Sequence, residues 1–470
     1  MLRSSWFAWV LVGCDVVGGN SDKDGSLDSD LTTAVETDGD TGTPYMDPRP
    51  RGPHGTLDAS AASGLVTGAT AYEGAGADVV LADVDLNGTA DLLAMADQGT
   101  SSARAAPYIA VWHDVPLGEH SFLDAIHTIN NDLPVVESSI QAIEAMDLTG
   151  DGQIDLLVSR SLPDQGAEAV LLAGPITDHR SLADAAANTL FESDARTVIW
   201  TAVPDVTGDG MPDLVAGEPE HADLAPGSGS LWVFAGPLSG RREEDLAWAH
   251  LHSDVDRELL GGAVAAADFD GDGVQDLAIP AAVEHVYILS GPISGDPVVQ
   301  SSYSARYTYD PEGSLATSIY TTPVFGGDLN GDGIADLAFG SQDLRVIEGP
   351  VSGEMSEYSV TATLPGAGDF TVGDVNGDGM GDFLVGNGAY NPGVSADQGV
   401  AYLYYGPVLG SLGVDDGMFV TANARDRLGE SVEIADADGD GFDDIAIGAP
   451  GMDTEDKSES GAVLLFRGGI

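Results

Sequence analysis

The chain has one cysteine, Cys14, in 470 residues, so no internal disulfide braces it. Cationic residues are scarce: 17 Lys and Arg stand against 77 Asp and Glu, a formal charge of −60. With no basic stripe to displace counterions from phosphates, a nucleic-acid partner is excluded. Beyond the N-terminus, no segment approaches the roughly 20 apolar residues that a membrane-spanning helix needs. Common catalytic signatures are also missing: there is no His-Glu-x-x-His, no Gly-x-Ser-x-Gly and no phosphate-cradling glycine loop. The nine histidines are scattered. His250 and His252 fall on one strand face and are expected to be an exposed pair.

Acid is abundant instead, yet composition argues against simple acidic disorder, because 43 % of residues are hydrophobic and fall in short β-type runs. Together with 62 Gly and 24 Pro, this suits many short strands joined by tight turns.

The N-terminus reads MLRSSWFAWVLVGCDVV: a positive Arg3, an apolar run from Trp6 to Val12, then Gly13 and Cys14. That order is the pattern of a secretory signal. Leu11-Val12-Gly13-Cys14 resembles the lipobox of bacterial lipoproteins, which implies cleavage before Cys14 and a lipid on its thiol. The expected organisation is a signal over 1–13, a disordered acidic linker over 14–62 and a folded domain over 63–470. The chain would be anchored to a membrane rather than span it. Its expected place is the bacterial cell envelope, exposed to the periplasm or outside the cell.

Seven short acidic stretches recur along the folded part: DVDLNGTAD (83–91), DLTGDGQID (147–155), DVTGDGMPD (205–213), DFDGDGVQD (268–276), DLNGDGIAD (328–336), DVNGDGMGD (374–382) and DADGDGFDD (436–444). Their starts are 64, 58, 63, 60, 46 and 62 residues apart, a repeat architecture. Each lies between two short apolar runs; a third run follows and usually ends in Gly-Pro, as at Pro237, Pro292 and Pro407, and a fourth leads to the next copy. Four short antiparallel strands per copy is the blade of a β-propeller, so the expected fold is all-β with seven blades. The seventh unit stops after its third strand, Ala462–Arg467, whereas residues 64–71 align without gaps to 417–424. A strand near residues 65–70 is therefore expected to complete the last blade and close the ring.

Within each stretch, oxygen donors stand at positions 1, 3 and 5, glycine at 6 and aspartate at 9. Such a loop cages a hard cation, with the position 7 carbonyl turned inward by the glycine. The donors are Asp83, Asp85, Asn87, Thr89 and Asp91; Asp147, Thr149, Asp151, Gln153 and Asp155; Asp205, Thr207, Asp209, Met211 and Asp213. They continue as Asp268, Asp270, Asp272, Val274 and Asp276; Asp328, Asn330, Asp332, Ile334 and Asp336; Asp374, Asn376, Asp378, Met380 and Asp382; and Asp436, Asp438, Asp440, Phe442 and Asp444. Oxygen donors without His or Cys favour Ca²⁺, up to seven ions, over softer metals. The fourth and seventh loops, acidic at positions 1, 3 and 5, should bind most tightly. Thr149 and Thr207 make the second and third sites the least certain. Asp443, outside the donor pattern, is expected to be a solvated neighbour. An EF-hand is excluded, because position 12 is Ala94, Ala216, Ile279 or Ile447 rather than Glu.

These loops resemble the FG-GAP repeats of the integrin α-chain β-propeller, whose hairpin loops bind calcium with a D-x-D-x-D-G-x-x-D pattern. The signatures stand best as Leu428-Gly429 and Gly448-Ala449-Pro450, and partly as Leu260-Gly261 and Gly217-Glu218-Pro219. The resemblance implies a seven-bladed ring in an extracellular setting. Strand alternation puts the calcium loops and Gly-Pro connections on one face, and the variable loops 218–229 and 387–399 on the other. The expected function is a calcium-stabilised, non-catalytic adhesion or ligand-binding module for an extracellular protein or glycan. A carbohydrate-active enzyme, a polysaccharide lyase or glycan hydrolase, is the alternative.

Overall fold

The computed structural model describes residues 55–57, 61–97, 106–131, 139–162, 166–185, 190–193, 198–242, 244–281, 285–309, 323–340, 343–366, 368–391, 397–421, 423–454 and 457–469. The expected signal, Cys14 and all of the linker before Gly55 lie outside the described residues.

Seven sheets follow one another along the chain, spanning 75–130, 139–193, 199–252, 265–308, 324–365, 370–421 and 432–466. We number them blades 1 to 7. In blade 3, Ile199–Val203, Asp213–Glu218, Ser230–Phe234 and Ala249–His252 pair antiparallel in chain order. Several middle strands are buried along their whole length, as in Asp276–Ala281 and Asp444–Ala449. Both faces of a blade pack on neighbouring blades, so these strands are continuous apolar runs rather than alternating ones. Apolar clusters accordingly form between blades: Ile434, Ile447 and Leu464 of blade 7 share a core with Leu384 and Leu403 of blade 6.

The ring closes as the sequence suggests. Gly64–Thr67 pairs antiparallel with the third strand of blade 7, Ala462–Phe466. Its Val66 is fully buried. The sequence reading missed a further layer: the segment after several third strands adds in parallel to the outer strand of the preceding blade. Gly353–Met355 joins Ala305–Thr308, and Gly410–Ser411 joins Ala362–Pro365. Gly118–Ser121 lies on Gly64–Thr67 in the same way. Gly55–Leu57, inside the stretch expected to be linker, pairs in parallel with Met418–Thr421 of blade 6. These additions cover outer edges that would otherwise present unpaired backbone groups.

Around the central channel, carboxylates on or just before first strands cap the backbone of the next blade. Asp78 accepts from Ile143 N–H at 2.9 Å, Glu144 from Ala202 at 2.6 Å and Asp369 from Val432 at 2.9 Å. Among the described residues, no helix is long and apolar enough to cross a membrane.

Candidate metal centres

The aspartate at position 9 anchors every loop. Asp91, Asp155, Asp213, Asp276, Asp336, Asp382 and Asp444 are all buried, an unusual place for a charge. Hydrogen bonds account for it. Asp213 Oδ2 accepts the N–H groups of Val206 and Thr207, both at 2.8 Å, while its Oδ1 accepts that of Gly236 at 3.0 Å. The glycine that ends the third strand does the same elsewhere: Gly174, Gly291, Gly349, Gly406 and Gly468 donate to Asp155, Asp276, Asp336, Asp382 and Asp444. In blade 1, Asp114 takes the glycine's place and donates to Asp91. One carboxylate thus locks the acidic loop to the Gly-Pro connection, and both lie on the same face.

The rest of each loop is held from within. Asp147 accepts from Gly150, Asp151 and Gly152 at 2.7, 3.1 and 2.8 Å. Position 7 donates its N–H to the position 5 side chain in all seven, from Thr89 to Asn87, Gln153 to Asp151, Met211 to Asp209, Val274 to Asp272, Ile334 to Asp332, Met380 to Asp378 and Phe442 to Asp440. Position 4 favours glycine because its φ is positive, 72° at Gly150 and 75° at Gly439. Loops of adjacent blades are also hydrogen-bonded. Leu238 N–H donates to Leu148 O, Ile293 to Val206, and Val351 to Phe269, each at 2.7 Å.

Three carboxylates converge, with ligand atoms within 4.8 Å of one another, in four loops: Asp83, Asp85 and Asp91; Asp205, Asp209 and Asp213; Asp268, Asp270 and Asp276; Asp436, Asp438 and Asp440. The third loop gathers its acids despite Thr207, whose hydroxyl donates to Asp213. Burial, with Asp85, Asp270 and Asp378 beside them, raises Asp91, Asp276 and Asp382 to about 6. Partly buried carboxylates crowded together, with oxygens only, form a donor set that fits a hard cation.

Two further contacts involve residues beside the loops. The residue just before the Gly-Pro connection faces position 3: Ser290 Oγ donates to Asp270 at 2.8 Å, and His113 Nδ1 lies 3.0 Å from Asp85. In blade 7 this residue is Arg467, whose guanidinium contacts Asp438 and lies 3.1 Å from Asp444. The seventh loop therefore carries a cationic side chain beside two of its expected donors. Asp443 is not merely solvated, because its carboxylate accepts the N–H of Asp374 in the sixth loop at 2.7 Å.

On the other face the loop 218–229 and the later one ending at Gly399 meet the following blade through glycine contacts. Gly217 packs on Gly261, Gly386 on Gly429 and Gly448 on Gly76, with no room for a Cβ at any of these crossings. That close approach is the physical content of the Phe-Gly and Gly-Ala-Pro signatures. His250 and His252 also lie toward this end of blade 3 and are not an exposed pair: His252 is 8 % exposed, and both rings gather with Asp223.

The family model described as FG-GAP repeat matches residues 260–289 and 428–466. Integrin alpha-V of Gallus gallus is 25 % identical over 243 residues, covering 46 % of this chain and 22 % of that protein. Phosphatidylinositol-glycan-specific phospholipase D of Bos taurus is 33 % identical over 105 residues, covering 21 % of this chain and 12 % of the enzyme. Integrin alpha-4 of Xenopus laevis is 31 % identical over 149 residues, 29 % of this chain and 13 % of that one. The chain thus spans less than a quarter of the length of these relatives.

Proposed function

We propose that this seven-bladed propeller is a calcium-stabilised, non-catalytic module that binds an extracellular protein or glycan. Calcium occupies the acidic loops on one face, and the ligand is taken by the opposite face. The convergence of three carboxylates in four loops, three of which include the buried position 9 aspartate, carries the metal part of this reading. Similarity to integrin alpha chains supports the ligand-binding part. A lipid on Cys14 would hold the module at the bacterial envelope. The calcium is structural in this account, since its loops also tie neighbouring blades together, and the variable loops lie on the other face.

A screen of the full chain against envelope glycans and proteins, with calcium and with EDTA, tests the reading. Calcium-dependent binding lost on substituting loop 218–229 or loop 387–399 supports it. Binding unaffected by both replacements contradicts the assigned face.

The similarity to phosphatidylinositol-glycan-specific phospholipase D favours one other reading, an enzyme acting on glycans or glycolipids. New reducing or unsaturated ends after incubation with polysaccharides, or phosphate esters released from a glycosylated phosphatidylinositol, would establish it over the first.

A further inference from the structure

Blade 3 holds a second kind of donor cluster, chemically unlike the acidic loops. His250 and His252 are two apart on the outer strand Ala249–His252, so both rings project from one face of it. Asp223 reaches them from the loop between the second and third strands. Asp296 arrives from the next unit, whose backbone bridges in parallel to this strand at Gly295 and Val298. His250 Nε2 lies 2.9 Å from Asp223 Oδ2, and His252 Nδ1 lies 3.9 Å from the same oxygen. Asp296 Oδ1 is 3.6 Å from His252 Nδ1 and 3.5 Å from His250 Nδ1.

Hydrogen bonding does not satisfy these nitrogens. His250 Nε2 and His252 Nδ1 are both buried and neither makes a hydrogen bond, although His252 is only 8 % exposed. Two buried imidazole nitrogens aimed at one carboxylate oxygen without bonding it is costly unless something else sits between them.

We propose that His250 Nε2, His252 Nδ1 and Asp223 form a binding site for Zn²⁺, with Asp296 beside the fourth position. Metal–nitrogen distances near 2 Å in a tetrahedron place donors about 3.3 Å apart, which the observed separations bracket. Imidazole nitrogen selects a borderline ion over Ca²⁺, so the site is separate in chemistry from the loops of the other face. Its surroundings are those of an oriented site. Trp232 stacks on His250 with 7° between the ring planes and centroids 4.8 Å apart. Asp223 is held by Ser230 Oγ at 3.1 Å and by His221 Nε2 at 2.9 Å, and His221 Nδ1 lies 3.1 Å from Glu218. Outer partners of this type fix ligand orientation. Burial lowers the His250 pKa and favours the neutral ring a metal needs. The ion would clasp three segments, namely the outer strand of blade 3, loop 218–229 and the segment that follows the third strand of blade 4, and so stiffen the variable face.

The test is titration of Zn²⁺ into the calcium-saturated full chain, stripped of transition metals, followed by calorimetry, with Co²⁺ as a visible-absorption probe. One equivalent of Zn²⁺ should bind, and Co²⁺ should give the intense d–d bands of a tetrahedral site. His252→Ala and, separately, the milder His250→Gln should each weaken Zn²⁺ binding at least about tenfold. Both must keep the wild-type circular dichroism and calcium response. Zn²⁺ affinity unchanged in His250→Gln and His252→Ala overturns the proposal and moves the binding to other imidazoles, such as the group His113, His127 and His179. Absence of stoichiometric Zn²⁺ binding in the wild type overturns it outright.

Discussion

The Asp443 carboxylate accepts the backbone N–H of Asp374 at 2.7 Å, and Asp443 N–H donates back to Asp374 O at 3.0 Å. A residue outside the metal-donor pattern therefore ties the seventh acidic loop to the first residue of the sixth. Asp443→Ala leaves the Asp374 N–H without its acceptor and should destabilise the protein by about 1–3 kcal/mol. Chemical denaturation measures the loss. Calcium stoichiometry should stay the same, which separates this joint from a ligand.

Ring closure rests on a strand far from its partner in sequence. Val66 is fully buried where Gly64–Thr67 meets Ala462–Phe466. Val66→Asp puts an unpaired charge in that seam and should cost roughly 3 kcal/mol or more. Limited proteolysis should then open the chain near blade 7 first. Val66→Ile at the same position should leave the proteolysis pattern unchanged.

Arg467 competes with a metal for Asp438 and Asp444. Arg467→Gln should strengthen calcium binding at the seventh loop and lower the stability of the calcium-free protein. A calcium titration that resolves individual loops, by NMR of the Gly441 amide, reads the first effect. A calcium affinity at this loop that falls on substitution would show that Arg467 assists the site.

Protons and calcium should exclude each other from the loops. In the calcium-free fold burial raises Asp91, Asp276 and Asp382 to about 6, while an unfolded aspartate titrates near about 4. The folded state therefore holds these protons more tightly, and that contribution to stability is complete below about pH 4 and lost as the pH rises through about 6. Calcium requires the ionised form. The rise in Tm on adding calcium should be larger at pH 7.5 than at pH 5, and a rise independent of pH would contradict the assignment.

Much of this was legible in the chain, for identifiable reasons. The seven loops are visible because a cage of fixed shape demands donors at fixed spacing, and their count gave the blades. Closure was legible because residues 64–71 must replace the strand that the seventh unit lacks. Asp443 and the parallel edge strands were hidden, since each acts between blades and no local pattern marks the partner. His250 and His252 looked like an exposed pair because strand alternation says which side they share, whereas their cover comes from Asp223 and Asp296 in other segments. The signal for Arg467 is positional: in blades 1 and 4 the equivalent residues, His113 and Ser290, also face position 3 of their own loops.

Thermal unfolding of the full chain with EDTA and then with excess calcium tests the central claim most directly. At a calcium concentration 100 times the Kd, each occupied loop adds about 2.7 kcal/mol. EDTA should lower the Tm substantially, and added calcium, but not added magnesium at the same concentration, should restore it. Superimposable melting curves in EDTA and calcium would contradict a calcium-stabilised ring.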